Sequence, residues 1–133
     1  KEELENIDEK TILEKFISGE LNINDFKKNK NIIGRVGVSV HSLEEAIYAD
    51  ENGADFILVS HIFATKCKEG LKPKGVDYIK EVKAKVSCKV VALGGINTEN
   101  YNEVIKAGAD GIAIMSLLFE SKNIHETIKK INM

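Results

Sequence analysis

The chain has 133 residues, 43% of them hydrophobic, which is enough for one domain with a real core and too few for two. Its formal net charge of -2, with Lys, Glu and Asp evenly mixed, gives no electrostatic reason to expect nucleic acid or a membrane surface as a partner. A small-molecule ligand is the expectation that remains.

Cys67 and Cys88 form no CxxC pair and suggest no disulfide framework, which favours a reducing cytoplasm. The longest apolar runs are strand-sized, so neither a spanning segment nor a signal peptide is visible. The chain begins with Lys1 rather than methionine, which leaves a preceding segment open.

The first thirty residues are charged, helical over Glu3–Ile17, then loop-like through Asn22-Ile23-Asn24-Asp25 and Lys27-Lys28-Asn29-Lys30. From residue 31 onward, runs rich in Val, Ile and Leu alternate with helix-patterned segments, the sequence form of βα units around a parallel sheet. The runs are Arg35–Val40, Phe56–Ile62, Lys89–Leu93 and Gly111–Met115. They are nearly continuous in apolar residues, so both faces of the sheet are expected to be covered. Ser42-Leu43-Glu44-Glu45 reads as a capping box opening a helix that ends near Asn52-Gly53. Asn97 or Thr98 caps the helix after the third run, and Gly108 ends it in a left-handed conformation. A polar final helix is expected over Ser121–Ile131. Gly-Ala-Asp occurs at both Gly53-Ala54-Asp55 and Gly108-Ala109-Asp110, and a repeated junction argues for a repeated unit.

The chain therefore reads as a single α/β domain, with an N-terminal segment over 1–30 and four βα units over 31–133. A full βα-barrel usually needs about 200 residues or more, so these units are expected to form about half of one. Half a barrel exposes two sheet edges, which a partner chain, a missing segment or the N-terminal helix would have to cover; a homo-oligomer, as four plus four strands, is the expectation among these.

Ligands of such folds sit at the carboxyl ends of the strands, where Ser39, His61, Gly94-Gly95 and Ser116 fall. Two glycines between a strand and a helix let backbone approach an anion closely, and phosphate is the natural tenant; a plain tight turn is the alternative. Met115-Ser116 would supply a second phosphate loop. Among the histidines, His125 lies in the polar final helix and His41 precedes a cap, whereas His61 stands at the functional end of a strand. Three readings of His61 are open: catalytic base, metal ligand, packed side chain. Zinc needs three or four ligands, and His61 with Cys67 supplies two, so no metal is expected. Cys67 has no evident orienting acid, which disfavours a Cys67–His61 nucleophile pair.

At these residues a family resemblance becomes visible. Gly37-Val38-Ser39-Val40-His41-Ser42, Gly53-Ala54-Asp55, Ala92-Leu93-Gly94-Gly95-Ile96 and Ala107-Gly108-Ala109-Asp110-Gly111 resemble the C-terminal half of the thiamine-phosphate synthase superfamily, over residues 35 to 121. The resemblance implies a βα-barrel and one of two activities, thiamine-phosphate synthase or TenI-type thiazole tautomerase. Synthases typically carry Gly-Pro-Ile-Phe-x-Thr-x-Thr-Lys; here His61 replaces the proline and Cys67 the second threonine. His61 with Phe63, Thr65, Cys67-Lys68, Gly70-Leu71 and Gly75-Val76 looks like the tautomerase branch, while Ser60, Ala64 and Lys66 depart from the commonest family residues.

That branch isomerises a carboxythiazole phosphate to its aromatic tautomer in thiamine biosynthesis. The resemblance implies that His61 takes a proton from the ring carbon bearing the carboxylate and helps return one to the exocyclic carbon. It further implies that the backbone at Gly94, Gly95, Met115 and Ser116 holds the substrate phosphate, that Thr65 and Lys68, at motif positions that help hold the pyrimidine pyrophosphate in synthases, belong to the substrate site, that Ser39 lines the pocket, and that no cofactor is needed. The synthase's magnesium-binding acids lie in an N-terminal half with no counterpart here; a transferase is the alternative reading, and a non-catalytic phosphate-ligand-binding subunit a further one.

Overall fold

The computed structural model describes residues 18, 22–29, 34–64, 70, 72–114 and 124–131. After helix α1 (Ile23–Asn29), the elements run β1 (Gly37–Val40), α2 (Leu43–Glu51), β2 (Phe56–Val59), α3 (Val76–Lys85), β3 (Lys89–Leu93), α4 (Tyr101–Lys106), β4 (Gly111–Ala113) and α5 (Ile124–Ile131). The four strands form one sheet in chain order, every neighbouring pair parallel. Parallel neighbours need crossovers, and α2, α3 and α4 supply them. The expected α/β architecture of about four βα units is thus present.

Register decides which side chains share a face. Val40, Val59, Ala92 and Ile112 lie level across the sheet, as do Ser39, Leu58, Val91 and Gly111. Because side chains alternate along a strand, Val40, Ile57, Val59, Val90 and Ala92 point one way, and all are buried. Ala46 and Ala49 of α2, Tyr78, Ile79 and Val82 of α3, and Tyr101 and Val104 of α4 complete that core. Each fully buried Ile or Val contributes about 1.5–3 kcal/mol. The two alanines let α2 lie close to the strands.

The opposite face differs from the sequence expectation. Phe56, Leu58, Val91 and Leu93 are only half-buried there, and Ser39 is exposed. Gly37 shares that face: a Cβ on it would lie 2.2 Å from the Phe56 ring, so the missing side chain makes room for the aromatic. Apolar runs predicted two covered faces, whereas among the described residues the fully buried side chains of the strands lie on one.

At the amino ends of the strands three aspartates fasten neighbouring segments together. Asp55 donates its N–H to the Val36 carbonyl at 2.9 Å, while its carboxylate accepts from Val36 N–H at 2.6 Å and pairs with Lys27. Asp110 repeats the arrangement, donating to the Val90 carbonyl at 2.8 Å and accepting from Val90 N–H at 2.9 Å and Lys83 at 2.5 Å. Here lies the physical reason for the repeated Gly-Ala-Asp. Asp50, in α2, ties that helix to the approach to β3, accepting from the N–H groups of Ser87 and Cys88 at 2.8 and 2.9 Å.

Several boundaries moved. Residues 23–29, expected as loop, form α1, because Ile23 is buried, its N–H reaches the Asn52 carbonyl at 3.0 Å, and the Asn22 carboxamide caps Asn24 N–H at 2.8 Å. The second strand ends at Val59, before Ser60. Ser42 caps Glu45 N–H at 3.1 Å as expected, but the Glu45 carboxylate reaches past Ser42 to the His41 N–H at 2.6 Å. The final helix is described from Ile124 rather than Ser121, with His125 exposed. The expected helix over Glu3–Ile17 lies outside the described residues.

Candidate functional site

His61 is the only buried polar or charged side chain among the described residues, 7% exposed. The backbone explains its fixed place at the carboxyl end of the sheet. Beyond β2 the chain stays alongside β3, with Ile62 N–H donating to the Leu93 carbonyl at 3.1 Å and Phe63 N–H to the Gly94 carbonyl at 3.0 Å. From the other side the approach to α3 returns over the same residues. Lys74 N–H donates to the His61 carbonyl at 2.8 Å and Gly75 N–H to the Ile62 carbonyl at 2.9 Å. The Lys74 ammonium lies 5.4 Å from the centre of the Tyr78 ring, a cation–π contact that ties this return to α3. The Ser60–His61 peptide is cis.

Gly94 and Gly95 adjoin His61, with φ of +107° and +66°. Their conformations explain glycine, since L side chains rarely adopt them. Close approach explains it again. A Cβ on Gly95 would meet the Ala64 carbonyl oxygen and Phe63 Cβ, each at 2.8 Å. The following turn is closed by two asparagines: Asn97 Oδ1 accepts from the N–H groups of Glu99 and Asn100 at 2.8 and 3.0 Å. Asn100 answers, its Oδ1 accepting from Asn97 N–H at 2.8 Å and its amide donating to the Gly95 carbonyl at 2.9 Å. The helix cap therefore moves from the expected Asn97 or Thr98 to Asn100, while Asn97 closes the turn that precedes α4. The N–H groups of residues 97, 99 and 100, in the turn ahead of α4, are bound by these carboxamides.

Of the other expected site residues, Ser39 is exposed on the half-buried sheet face, level with Leu58 and so below the His61 end of the sheet. Thr65, Lys68, Met115 and Ser116 lie outside the described residues, as does Cys67. His41 is exposed and its Nδ1 stands 3.3 Å from the Glu45 carboxylate, the local role expected of it. No group of three or more His, Cys, Asp or Glu side chains comes together for a metal among the described residues. Also among them, no helix is long and apolar enough to cross a membrane.

Sequence reasoning missed Asn100, Lys74 and Tyr78. The Tyr78 hydroxyl is buried with no hydrogen-bond partner among the described residues, and burial, then the Glu45 and Glu81 carboxylates, push its pKa up. Asn100 carried a faint signal, since Asn97 and Asn100 stand three apart where a turn must close. Cys88 is remote from the site: burial first, then the Asp50 carboxylate, raises its thiol to about 11.

A parallel βα sheet with a buried histidine and a glycine pair side by side at its carboxyl end defines a portion of a βα-barrel. The family profile described as thiamine monophosphate synthase matches residues 19–118, and the chain belongs to that family. It is 38% identical over 96 residues to a thiamine-phosphate synthase of Pyrococcus furiosus, covering 72% of this chain and 46% of that protein. To the thiamine-phosphate synthase of Shouchella clausii it is 43% identical over 90 residues, covering 67% of this chain and 43% of that one. A solved thiamine phosphate pyrophosphorylase from Pyrococcus furiosus superposes with a TM-score of 0.72 at 31% identity, over 85% of this chain and 54% of that one. The chain thus spans about half the length of the curated relatives it matches. Their names are those of synthases, not of tautomerases.

Proposed function

We propose that this chain acts in thiamine biosynthesis on a thiazole phosphate, with His61 as the general acid and base of a tautomerisation. The observation that carries the reading is His61 itself, the only buried histidine among the described residues, at the carboxyl end of the sheet beside Gly94. Imidazole suits the task, since one ring nitrogen can accept a proton and the group can return one. The base removes the proton from the ring carbon bearing the carboxylate, the electrons shift to make the ring aromatic, and a proton is delivered to the exocyclic carbon. Atoms balance without an oxidant. The backbone at Gly94, Gly95, Met115 and Ser116 is assigned to the phosphate, Thr65 and Lys68 to the substrate site, and Ser39 to the pocket wall.

The test is conversion of the dihydrothiazole carboxylate phosphate isomer, followed by ultraviolet absorbance as the ring becomes aromatic. His61→Asn is expected to abolish turnover while leaving the circular dichroism and phosphate binding intact. Turnover retained in that variant would remove His61 from the chemistry.

A second reading is favoured by the names of the relatives: thiamine-phosphate synthase, joining a pyrimidine pyrophosphate to the thiazole phosphate. It predicts magnesium-dependent release of pyrophosphate, which the tautomerase reading does not.

The proposal includes a second copy of the chain. A two-fold axis along the barrel axis would set β4 of one copy beside β1 of the other, parallel, closing both edges and covering the half-buried inner face.

A further inference from the structure

Resting on His61 as acid and base, we propose that Gly94 is a positioning residue for that histidine, and that its missing side chain serves the imidazole rather than the phosphate. A Cβ on Gly94 would lie 2.5 Å from His61 Cβ, 2.7 Å from His61 Cα and 3.1 Å from Ile62 N. None of these atoms is the loose end of a side chain. The segment they belong to has nowhere to retreat. His61 and Ile62 are held by N–H groups from Lys74 and Gly75 on one side, and Ile62 and Phe63 by the carbonyls of Leu93 and Gly94 on the other. A methyl group at 94 must either break that ladder or swing the imidazole.

Gly108 provides a matched contrast. Its φ of +110° nearly equals the +107° of Gly94, yet a Cβ there would meet only Lys83 Cγ and Cβ, at 3.3 and 3.6 Å. Gly108→Ala therefore carries the same left-handed strain with a flexible neighbour that can yield. Any difference between the two alanine variants beyond stability belongs to the seat under His61.

The experiment compares Gly94→Ala, Gly108→Ala and His61→Asn by turnover of the dihydrothiazole phosphate, inorganic phosphate binding, and the His61 imidazole resonance, assigned by its loss in His61→Asn. A displacement of about 1 Å at a proton-transferring group costs roughly 100-fold in rate. Gly94→Ala is expected to lose kcat to about that extent and to shift the imidazole resonance. Gly108→Ala is expected to melt earlier and change none of these. Weakened phosphate binding in Gly94→Ala with an unmoved imidazole resonance would overturn the proposal. If His61→Asn still turns over while Gly94→Ala moves the resonance, the base assignment fails and the seat stands; the resonance and phosphate arms decide even where wild-type turnover is absent. If Gly94→Ala does not fold, the double variant His61→Gly with Gly94→Ala decides: recovery of the fold supports the seat, and continued failure overturns it.

Discussion

Asp55 and Asp110 do the same work at two places in the sheet, and both carboxyls sit below the ordinary value of 3.8. For Asp55 the hydrogen bond from Lys27 is the first cause and Val36 N–H the second; for Asp110 they are Lys83 and Val90 N–H. A depressed folded-state pKa contributes stability that is complete above the unfolded value and lost as pH falls through the folded one. The urea midpoint is therefore expected to hold from neutrality down to about pH 5 and to fall below about pH 4. Asp110→Asn should lower the midpoint at neutral pH and flatten the acid limb. A limb unchanged in that variant would assign the acid sensitivity elsewhere. Gly-Ala-Asp was legible as a repeat, but its role was not, since nothing in the tripeptide names Val36 or Val90 as the partner.

Among elements, β3 depends on a helix that precedes it by a whole crossover. Asp50, near the end of α2, accepts from Ser87 and Cys88 just before β3 begins. Asp50→Ala leaves both N–H groups without that acceptor and is expected to cost about 1–3 kcal/mol by urea denaturation. The same change should lower the Cys88 pKa, which stands at about 11 partly through Asp50. In a Cys67→Ser background this appears as faster alkylation at pH 8, where Cys88 is now thiolate only to about one part in a thousand. Strand positions and the α2 cap were legible because they rest on local patterning and local hydrogen bonds. Helix α1 was not: the buried Ile23 helps anchor it, and the carbonyl partner of Ile23 N–H, on Asn52, is distant in sequence.

Among the described residues the sheet has one fully buried face and one half-buried apolar face, the latter carrying Phe56, Leu58, Val91 and Leu93, and the proposed second copy would cover it. Sedimentation at micromolar concentration is expected to show a two-chain species, and Leu58→Asp to return it to one chain; a wild-type monomer with no dye-binding apolar surface would refute the pairing. Four βα units were legible from runs and caps. The half-buried face was not, because a continuous apolar run reads alike whether its second cover is a helix or the far wall of a barrel.

The seam between β2 and β3 continues past the strands, where the amides of Ile62 and Phe63 reach across to Leu93 and Gly94. Any opening of that seam that frees those two amides to exchange with solvent also unseats His61. Their deuterium uptake would thus act as a clock for the site, counting how often the histidine leaves its working place without any substrate being present.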